Sequence, residues 1–397
     1  MNLRTVKIPL IGRIIIAIVL GIGAGYCAPV WCAELMSTFN GIFSQFLGFI
    51  IPLLILGFVA PAIADIGSSA GKMLAVTALI AYIMTLLSGL FSYGVGAWIF
   101  PSLITPGTMN ESDLTSTLVA PWFTVDIPPV FSVMTALVLA FVAGLGIAYT
   151  RSSVLLKGFN EFRDIITLVI NGVIIPLLPI YIFGIFMNMT VEGKVGTVIA
   201  TFVSIIIAIF ILHILLLLGQ FTIAGIVTRR NPLPLLRTML PAYFTALGTQ
   251  SSAATIPVTL RQSIATGVRP SIAGFVIPLC ATIHMSGSTL KIVACALALM
   301  IMQGIPYTTP MFIGFIAMLG ITIVAAPGVP GGAIMASLGL LSSMLGFSEA
   351  DNALMIALYI AMDSFGTACN VTGDGAISLI IDRIFGSKTD AQANPAE

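Results

Sequence analysis

Four polar side chains near the carboxyl end of the chain have the types and spacing to bind charged groups. At intervals of four, three and four residues, an apolar segment carries Asp363, Thr367, Asn370 and Asp374. These intervals place all four on one face of an α-helix. A charge at membrane depth costs about 2.5–3.5 kcal/mol on insertion scales, so such residues usually face a cavity. The stripe suits an ammonium group or a cation; the alternative is a helix that is polar only because it packs against helix ends.

A second polar segment, ATIHMSGST at 281–289, interrupts another apolar run. Gly287, which lies between small hydroxyl residues, predicts an unwound helix whose carbonyl groups are free to coordinate ions. His284 is a hydrogen-bonded core histidine, a ligand through its backbone only, or a proton carrier. Lys291 is the only charged residue between 270 and 348. Its side chain either snorkels toward an interface or points into the cavity.

The composition requires that the elements carrying these residues lie in a membrane. Only 8% of the 397 residues are charged, against about 25% in soluble domains, and the mean hydropathy is +1.12. Long continuous apolar runs predict helical spans rather than barrel strands. A net charge of +1 provides no field for nucleic acid. Cys27 and Cys32 could pair, but the five cysteines are expected to be small hydrophobic side chains rather than redox groups. The predicted fold class is an all-α polytopic membrane protein.

Lysine and arginine residues at the ends of the apolar runs predict the orientation of the chain, because they favour cytoplasmic loops. Six spans alternate without violation if the amino terminus is inside and the acidic loop at 101–128 is outside. These spans cover about 8–28, 42–64, 73–100, 129–150, 166–188 and 196–228. A last helix over about 351–384 ends at basic residues, so the 385–397 tail is predicted to be cytoplasmic.

Two segments in the second half do not fit simple crossings. Residues 238–260 lie between Arg237 and Arg261, so both ends are predicted to be cytoplasmic, and they contain the polar run GTQSSAAT. A re-entrant hairpin fits, since irregular backbone at membrane depth must be buried in protein or line a cavity. Residues 270–348 begin on the cytoplasmic side and are predicted to end outside, so they cross the membrane an odd number of times. One span over about 270–298 and a second hairpin over about 308–346, with VAAPGVPGGAIM at its tip, fit this requirement, and three ordinary spans also fit it.

Together these motifs resemble the dicarboxylate/amino acid:cation symporter family, which has the glutamate-transporter fold. FVAGLGIA at 141–148 is similar to the family's fourth span, SSAATIPVT to its first hairpin tip, APGVPGGAIM to its second, and NVTGD at 370–374 to its last-helix signature. The resemblance implies eight transmembrane helices with two re-entrant hairpins, and a homotrimer in the bilayer. It implies a transporter of a small molecule rather than an enzyme.

The resemblance also implies a division into a scaffold and a transport domain that moves like an elevator. The scaffold would comprise spans 1 and 2 (1–72) and spans 4 and 5 (129–195), and 101–128 would be an extracellular loop. The transport domain would comprise span 3 (73–100) and residues 196–384. Within 196–384 the order would be span 6, hairpin 1 (about 236–266), broken span 7 (about 270–298), hairpin 2 (about 308–346) and helix 8 (about 351–384).

Residue roles follow from the same resemblance. Asp363 would hold the substrate ammonium group and Asn370 its α-carboxylate, and the whole substrate site would comprise Ser251, Ser252, Ser288, Val329, Asp363, Gly366, Thr367 and Asn370. One sodium site would use Asp374 with carbonyl groups of Cys280, His284 and Asn370. Another would use Thr282, Met285 and carbonyl groups of the second hairpin.

Departures from the family pattern predict the substrate. Members that carry acidic substrates place an arginine four residues before the signature asparagine, and here that residue is Gly366. The other source of positive charge, on the first hairpin, is replaced by Gln250. A second substrate carboxylate would be buried unpaired, which is costly, so we expect a small neutral amino acid. The alternative is an acidic amino acid bound by Lys291. Asp363 argues against dicarboxylates that have no amino group.

The ion sites also depart from the family. Its broken span reads Asn-Met-Asp-Gly-Thr, whereas this chain has Ser286 in place of the aspartate. The matching third-span residues Tyr82 and Thr85 are retained, but a serine ligand is replaced by Leu86. A hard cation prefers oxygen, so this sodium site is predicted to be lost. We expect coupling to fewer sodium ions, or to protons through His284.

Other classes of protein fit less well. Ser251 or Ser252 with His284 and Asp363 has the composition of a hydrolytic triad, which leaves an intramembrane hydrolase as a remote alternative. A pure channel is another. A carrier is distinguished from both by saturable, concentrative uptake.

Overall fold

The computed structural model describes residues 10–68, 72–105, 119–193, 195–324, 326 and 331–393, and within these ranges the chain is helical without strands. The helices, in chain order, are α1 (Leu10–Cys27), α2 (Val30–Ser68), α3 (Lys72–Leu103), α4 (Val133–Thr150), α5 (Ser153–Val169), α6 (Ile175–Val191), α7 (Val195–Thr228), α8 (Pro232–Thr249), α9 (Ser252–Ala265), α10 (Pro270–Ile283), α11 (Ser286–Gln303), α12 (Thr309–Val324), α13 (Gly332–Leu345), α14 (Glu349–Ala361) and α15 (Asp363–Ala393). A π-helical turn, Ile170–Ile174, joins α5 to α6.

Several of these helices are long and apolar enough to cross a bilayer. Within the described ranges five qualify, namely Val30–Ala64, Lys72–Leu103, Ser153–Val191, Val198–Thr228 and Pro270–Gln303, and the bent pair α14–α15 makes a sixth. The apolar helices α1 and α4 are shorter. The protein is therefore a multi-pass membrane protein, and the count of eight spans stays a prediction that includes α1 and α4.

The two predicted hairpins each consist of two helices that pack on one another. Gln250 and Ser251 separate α8 from α9, and the left-handed backbone of Gln250 (φ 53°) ends the first helix. Helices α12 and α13 also pack together, and their connection at 325–330 lies outside the described residues apart from Ala326. Entry of the first hairpin from the cytoplasmic side, and of the second from the opposite side, stays a prediction.

The seventh span is interrupted between α10 and α11. Helix α10 ends at Ile283 and α11 begins at Ser286, so the unwound residues are His284 and Met285. This interruption falls inside the predicted segment 281–289, and Gly287 itself lies in the first turn of α11. A Cβ atom there would lie 2.6 Å from the Gly366 carbonyl oxygen, so glycine permits close packing of α11 on α15. Helix α11 also extends to Gln303 instead of ending near 298.

The last predicted helix, 351–384, is two helices and not one. Helices α14 and α15 meet at Met362 with a bend of 62°. Because the helix stops there, the Tyr359 and Met362 carbonyl oxygens are available to Lys291 Nζ, at 3.3 Å each. A single continuous helix was expected because neither glycine nor proline marks the bend in the sequence.

Helices α11 and α15 form the centre of the bundle. Every residue of α11 is buried, and α15 packs against α7, α8, α9, α10 and α11. Helix α3 is joined to α11 by two hydrogen bonds, from Ser88 Oγ to the Ser286 carbonyl (2.9 Å) and from Ser92 Oγ to the Leu290 carbonyl (2.7 Å). Helices α1 and α2 pack instead against α6 and α4. The polar stripe of α15 therefore faces the interior.

Candidate functional site

One cavity of about 630 Å³ collects most of the predicted substrate residues. It lies between the first hairpin tip, α15 and residues of α2 and α5 such as Phe58 and Arg163. The predicted residues that line it are Ser251, Ser252, Thr282, Met285, Ser288, Asp363, Thr367 and Asn370. Gly366 does not line the cavity, and Val329 lies outside the described residues.

Asp363 is the first residue of α15 and is 6% exposed. Its Oδ2 accepts a hydrogen bond from the Gly331 amide (2.8 Å), and Oδ1 lies 3.4 Å from Lys291 Nζ. Thr367, one turn later, donates to the Asp363 carbonyl (3.1 Å). The carboxylate thus connects the second hairpin to α15 while it faces the cavity, where a substrate ammonium group could reach it.

Asn370 holds the amino-terminal end of α11 against α15. Its Oδ1 accepts from the amides of Gly287 (2.8 Å) and Ser288 (3.3 Å). Its Nδ2 donates to Ser288 Oγ (3.1 Å) and lies 3.5 Å from Met285 Sδ. Tyr359 also donates to Ser288 Oγ (3.2 Å). Two donors therefore converge on one hydroxyl group at the cavity wall, and the role of Asn370 toward a carboxylate stays a prediction.

The first hairpin tip presents a helix amino terminus to the cavity. Ser251 caps α9, since its Oγ accepts from the Ala254 amide (3.3 Å), and Ser252 is the first helical residue. The first amides of a helix have no intrahelical acceptor and carry a partial positive charge. A carboxylate is the group that such a terminus favours.

Lys291 occupies the space beside Gly366. Its side chain is fully buried, so the alternative that it snorkels to an interface is wrong. Nζ lies 3.4 Å from the centre of the Tyr359 ring, in addition to its contacts with two carbonyl oxygens and Asp363. A Cβ atom on Gly366 would lie 3.0 Å from Nζ. The ammonium group does not line the cavity but lies behind it.

His284 and Asp374 form a second buried polar group outside the cavity lining. His284 Nδ1 lies 2.9 Å from Asp374 Oδ1, and His284 Nε2 lies 3.4 Å from Gln220 Nε2. Gln220 also donates to Ser286 Oγ (2.9 Å). Asp374 Oδ2 is buried and has no hydrogen-bond partner among the described residues. That oxygen can accept a cation or a proton, which fits the ion role predicted for Asp374.

Two other groups of the predicted ion sites already make hydrogen bonds within the protein. The Cys280 carbonyl accepts from the His284 amide (2.8 Å), and the Thr282 hydroxyl donates to the Leu279 carbonyl (2.7 Å). Within the described ranges no group of three or more histidine, cysteine, aspartate or glutamate side chains could hold a metal ion. A sodium ion would therefore depend on one carboxylate with carbonyl and hydroxyl oxygens, the hard ligands it prefers.

The residues of the sodium site that is predicted to be lost make other hydrogen bonds within the protein, and the loss itself stays a prediction. Tyr82 donates to the Ala317 carbonyl (3.2 Å), and Thr85 donates to the Ala81 carbonyl (2.9 Å). Ser286, which replaces the family's aspartate, accepts from Gln220. Gln220 is a site residue that the sequence reasoning missed. The signal was present, because a lone amide in the apolar run LLLLGQF must find a partner at membrane depth.

The hydrolase alternative does not fit this geometry. His284 directs Nδ1 to Asp374 and Nε2 to Gln220, so neither ring nitrogen contacts Ser251, Ser252 or Asp363. A triad needs its histidine between the nucleophile and the acid. The three residue types are present but are used in two separate networks.

Comparison with known proteins covers nearly the whole chain. Residues 10–384 match the sodium:dicarboxylate symporter family. The chain is 28% identical over 397 aligned positions to the serine/threonine transporter SstT of Acinetobacter baumannii strain AYE, covering 95% of this chain and 97% of that protein. It is 25% identical over 395 positions to the serine/threonine transporter SstT of Acinetobacter baylyi, covering 95% and 98%.

Proposed function

Because this chain belongs to the sodium:dicarboxylate symporter family, we propose that its substrate is a small neutral amino acid of the size of serine or threonine. As a member it is a sodium-coupled amino acid symporter of the membrane and not an enzyme. The observation that carries the proposal is Asp363, a carboxylate that faces the cavity and suits an ammonium group, beside Gly366, which offers no guanidinium. The relatives named serine/threonine transporters support the same substrate class.

The acidic-substrate alternative has weaker support from the contacts of Lys291. An ammonium group has three donors, and Nζ already lies near three acceptors, the Tyr359 and Met362 carbonyls and Asp363. A substrate side-chain carboxylate would have to displace one of them. It would also have to reach an ammonium group that does not line the cavity.

The proposed ion coupling uses two retained sites and omits a third. Asp374, with its buried free oxygen, supports a sodium site completed by carbonyls of Cys280, His284 and Asn370. Thr282 and Met285, which line the cavity, support the predicted site at the second hairpin. Ser286 and Leu86 support the absence of the third site. Proton coupling through His284 is the alternative, since its ring contacts the Asp374 carboxylate.

The proposed mechanism is the elevator movement of the family. Packing of α1 and α2 against α4 and α6, and of α15 against α7–α11, supports a scaffold distinct from a transport domain. Eight spans, two re-entrant hairpins, cytoplasmic termini and a homotrimer complete the proposal. A particle mass in detergent that corresponds to one or two copies would contradict the trimer.

Binding of serine or threonine is expected to raise the melting temperature of the purified protein in the presence of sodium. A ligand that binds only the folded state, at 100 times its dissociation constant, stabilises by about 2.7 kcal/mol. A panel with serine, threonine, alanine, aspartate and glutamate, with and without sodium, measures the preference. Preferential stabilisation by aspartate or glutamate would overturn the neutral-substrate proposal.

Uptake of serine into proteoliposomes is expected to require an inward sodium gradient. Coupling to sodium makes accumulation depend on that gradient, whereas coupling through His284 makes it respond to an imposed pH gradient at equal sodium. Labelled serine with each gradient applied alone separates the two. Uptake that responds to neither gradient would contradict both forms of coupling.

A further inference from the structure

Lys291 and Asp363 form a buried ion pair, so the protein itself provides Asp363 with a cationic partner in addition to any substrate ammonium group. The pair joins α11 to α15 across 72 positions of sequence, and the lysine side chain is 0% exposed. Asp363 is the group for which we propose an ammonium ligand, so two cations compete for or share one carboxylate. The contact needs an explanation, because a buried lysine is costly unless its charge is matched.

The surroundings of Lys291 Nζ are those of a cation site built at a helix break. The bend at Met362 directs two carbonyl oxygens toward Nζ, Asp363 contributes a carboxylate oxygen, and the Tyr359 ring face lies 3.4 Å away. Each of these groups stabilises a positive charge. The glycine at 366 leaves the space that Nζ fills, because a side chain there would begin 3.0 Å from it.

The empty carrier poses a problem that this pair can solve. Net uptake by an alternating carrier requires the transport domain to return without substrate. Without Lys291, Asp363 would then be a buried carboxylate whose neighbours, such as the Gly331 amide, are neutral donors. An unpaired buried charge is strongly unfavourable. With Lys291 in place, the carboxylate keeps a cationic partner whether or not a substrate ammonium group is present.

We propose that Lys291 is a tethered counter-ion that permits the return of the empty transport domain by keeping Asp363 paired. Lys291 is a positioning residue, since it acts through Asp363 and does not line the cavity. This inference rests on the proposed amino acid transport. It predicts that net uptake depends on Lys291 more strongly than exchange does, because in exchange both crossings are made with substrate, whose ammonium group is a second partner for Asp363.

Lys291→Met removes the charge and keeps most of the side-chain volume. We expect the ratio of net serine uptake to serine–serine exchange in proteoliposomes to fall roughly 100-fold or more, the size expected for one unpaired buried charge. We also expect serine to raise the melting temperature of this variant by more than that of the wild type, because the substrate replaces the missing cation. Loss of packing alone produces neither effect.

The controls separate the possible failures. Lys157→Met, on the exposed face of α5, removes a lysine far from this pair and is expected to leave the ratio unchanged. Lys291→Arg keeps the charge and is expected to retain more net uptake, relative to exchange, than Lys291→Met. An equal fall in net uptake and exchange for Lys291→Met would overturn the counter-ion role while the transport function stands. A wild type with neither activity would overturn the transport function, and this inference with it.

Discussion

Asp363→Asn is expected to lower serine uptake by roughly 100-fold or more. The substitution removes the carboxylate proposed for the substrate ammonium group and leaves the buried Lys291 without its anionic partner. Removing one member of a buried ion pair costs about 3–5 kcal/mol, and each 1.36 kcal/mol is a factor of ten. Initial rates of labelled serine uptake in proteoliposomes, together with the melting temperature of the purified variant, measure both effects.

A second variant separates lost binding from lost stability. Asp363→Asn with Lys291→Met contains no unpaired charge at this position, so its melting temperature is expected to recover toward the wild-type value, while uptake stays low. Glu161→Gln, on the exposed part of α5, is the matched control and should transport normally. Uptake by Asp363→Asn within a few-fold of the wild type would exclude Asp363 as the ammonium ligand.

Gly366→Arg is expected to abolish serine binding and destabilise the protein. The new side chain would begin 3.0 Å from Lys291 Nζ and place a guanidinium group beside an ammonium group. Two like charges 4 Å apart repel by about 4 kcal/mol at an effective dielectric constant of 20. We therefore expect a lower melting temperature than the wild type and no further rise with serine. Thermal unfolding with and without amino acids measures both.

When Lys291 is also replaced by methionine, Gly366→Arg is expected to shift the substrate preference from serine to aspartate. Gly366→Arg with Lys291→Met provides space for the guanidinium group at the position where acidic-substrate relatives carry it. We expect aspartate to stabilise this double variant more than serine does. Gly366→Ala is the matched control, because its methyl group would lie 3.0 Å from Lys291 Nζ and 3.6 Å from Ser288 Oγ but adds no charge, so it isolates the steric part of the effect. A Gly366→Arg protein that still binds serine would show that Lys291 does not fill this space.

Much of the fold could be predicted because a membrane limits the choices. With only 8% charged residues, helices that satisfy their own hydrogen bonds are the available spans. The polar run GTQSSAAT between two arginines predicted a break, and the chain leaves the helix at Gln250 and Ser251. Serine and glutamine are poor continuations of an apolar helix, and a serine is a strong helix cap, so this boundary is encoded locally.

Spacing along the sequence predicted three neighbours at the cavity, while Asp374 of the same stripe lies outside its lining. Asp363, Thr367 and Asn370 line one cavity because residues three and four positions apart share a helix face. The bend at Met362 was missed, since no glycine or proline precedes it. Packing of α14 and α15 around Lys291 stabilises that bend, and single-residue propensities contain no information about such a contact.

The amino-acid sequence by itself determined the membrane setting, the helical elements, the family motifs and the residue types available for binding, because hydropathy, charge position and helical periodicity are local properties of the chain. Only the tertiary structure decided which of those residues are partners. His284 contacts Asp374, across 90 positions, and Lys291 turns to Asp363 instead of an interface. Each of these two side chains is long enough to contact several different acceptors. The helices that surround it exclude all but one arrangement, and that exclusion depends on contacts between segments far apart in the sequence.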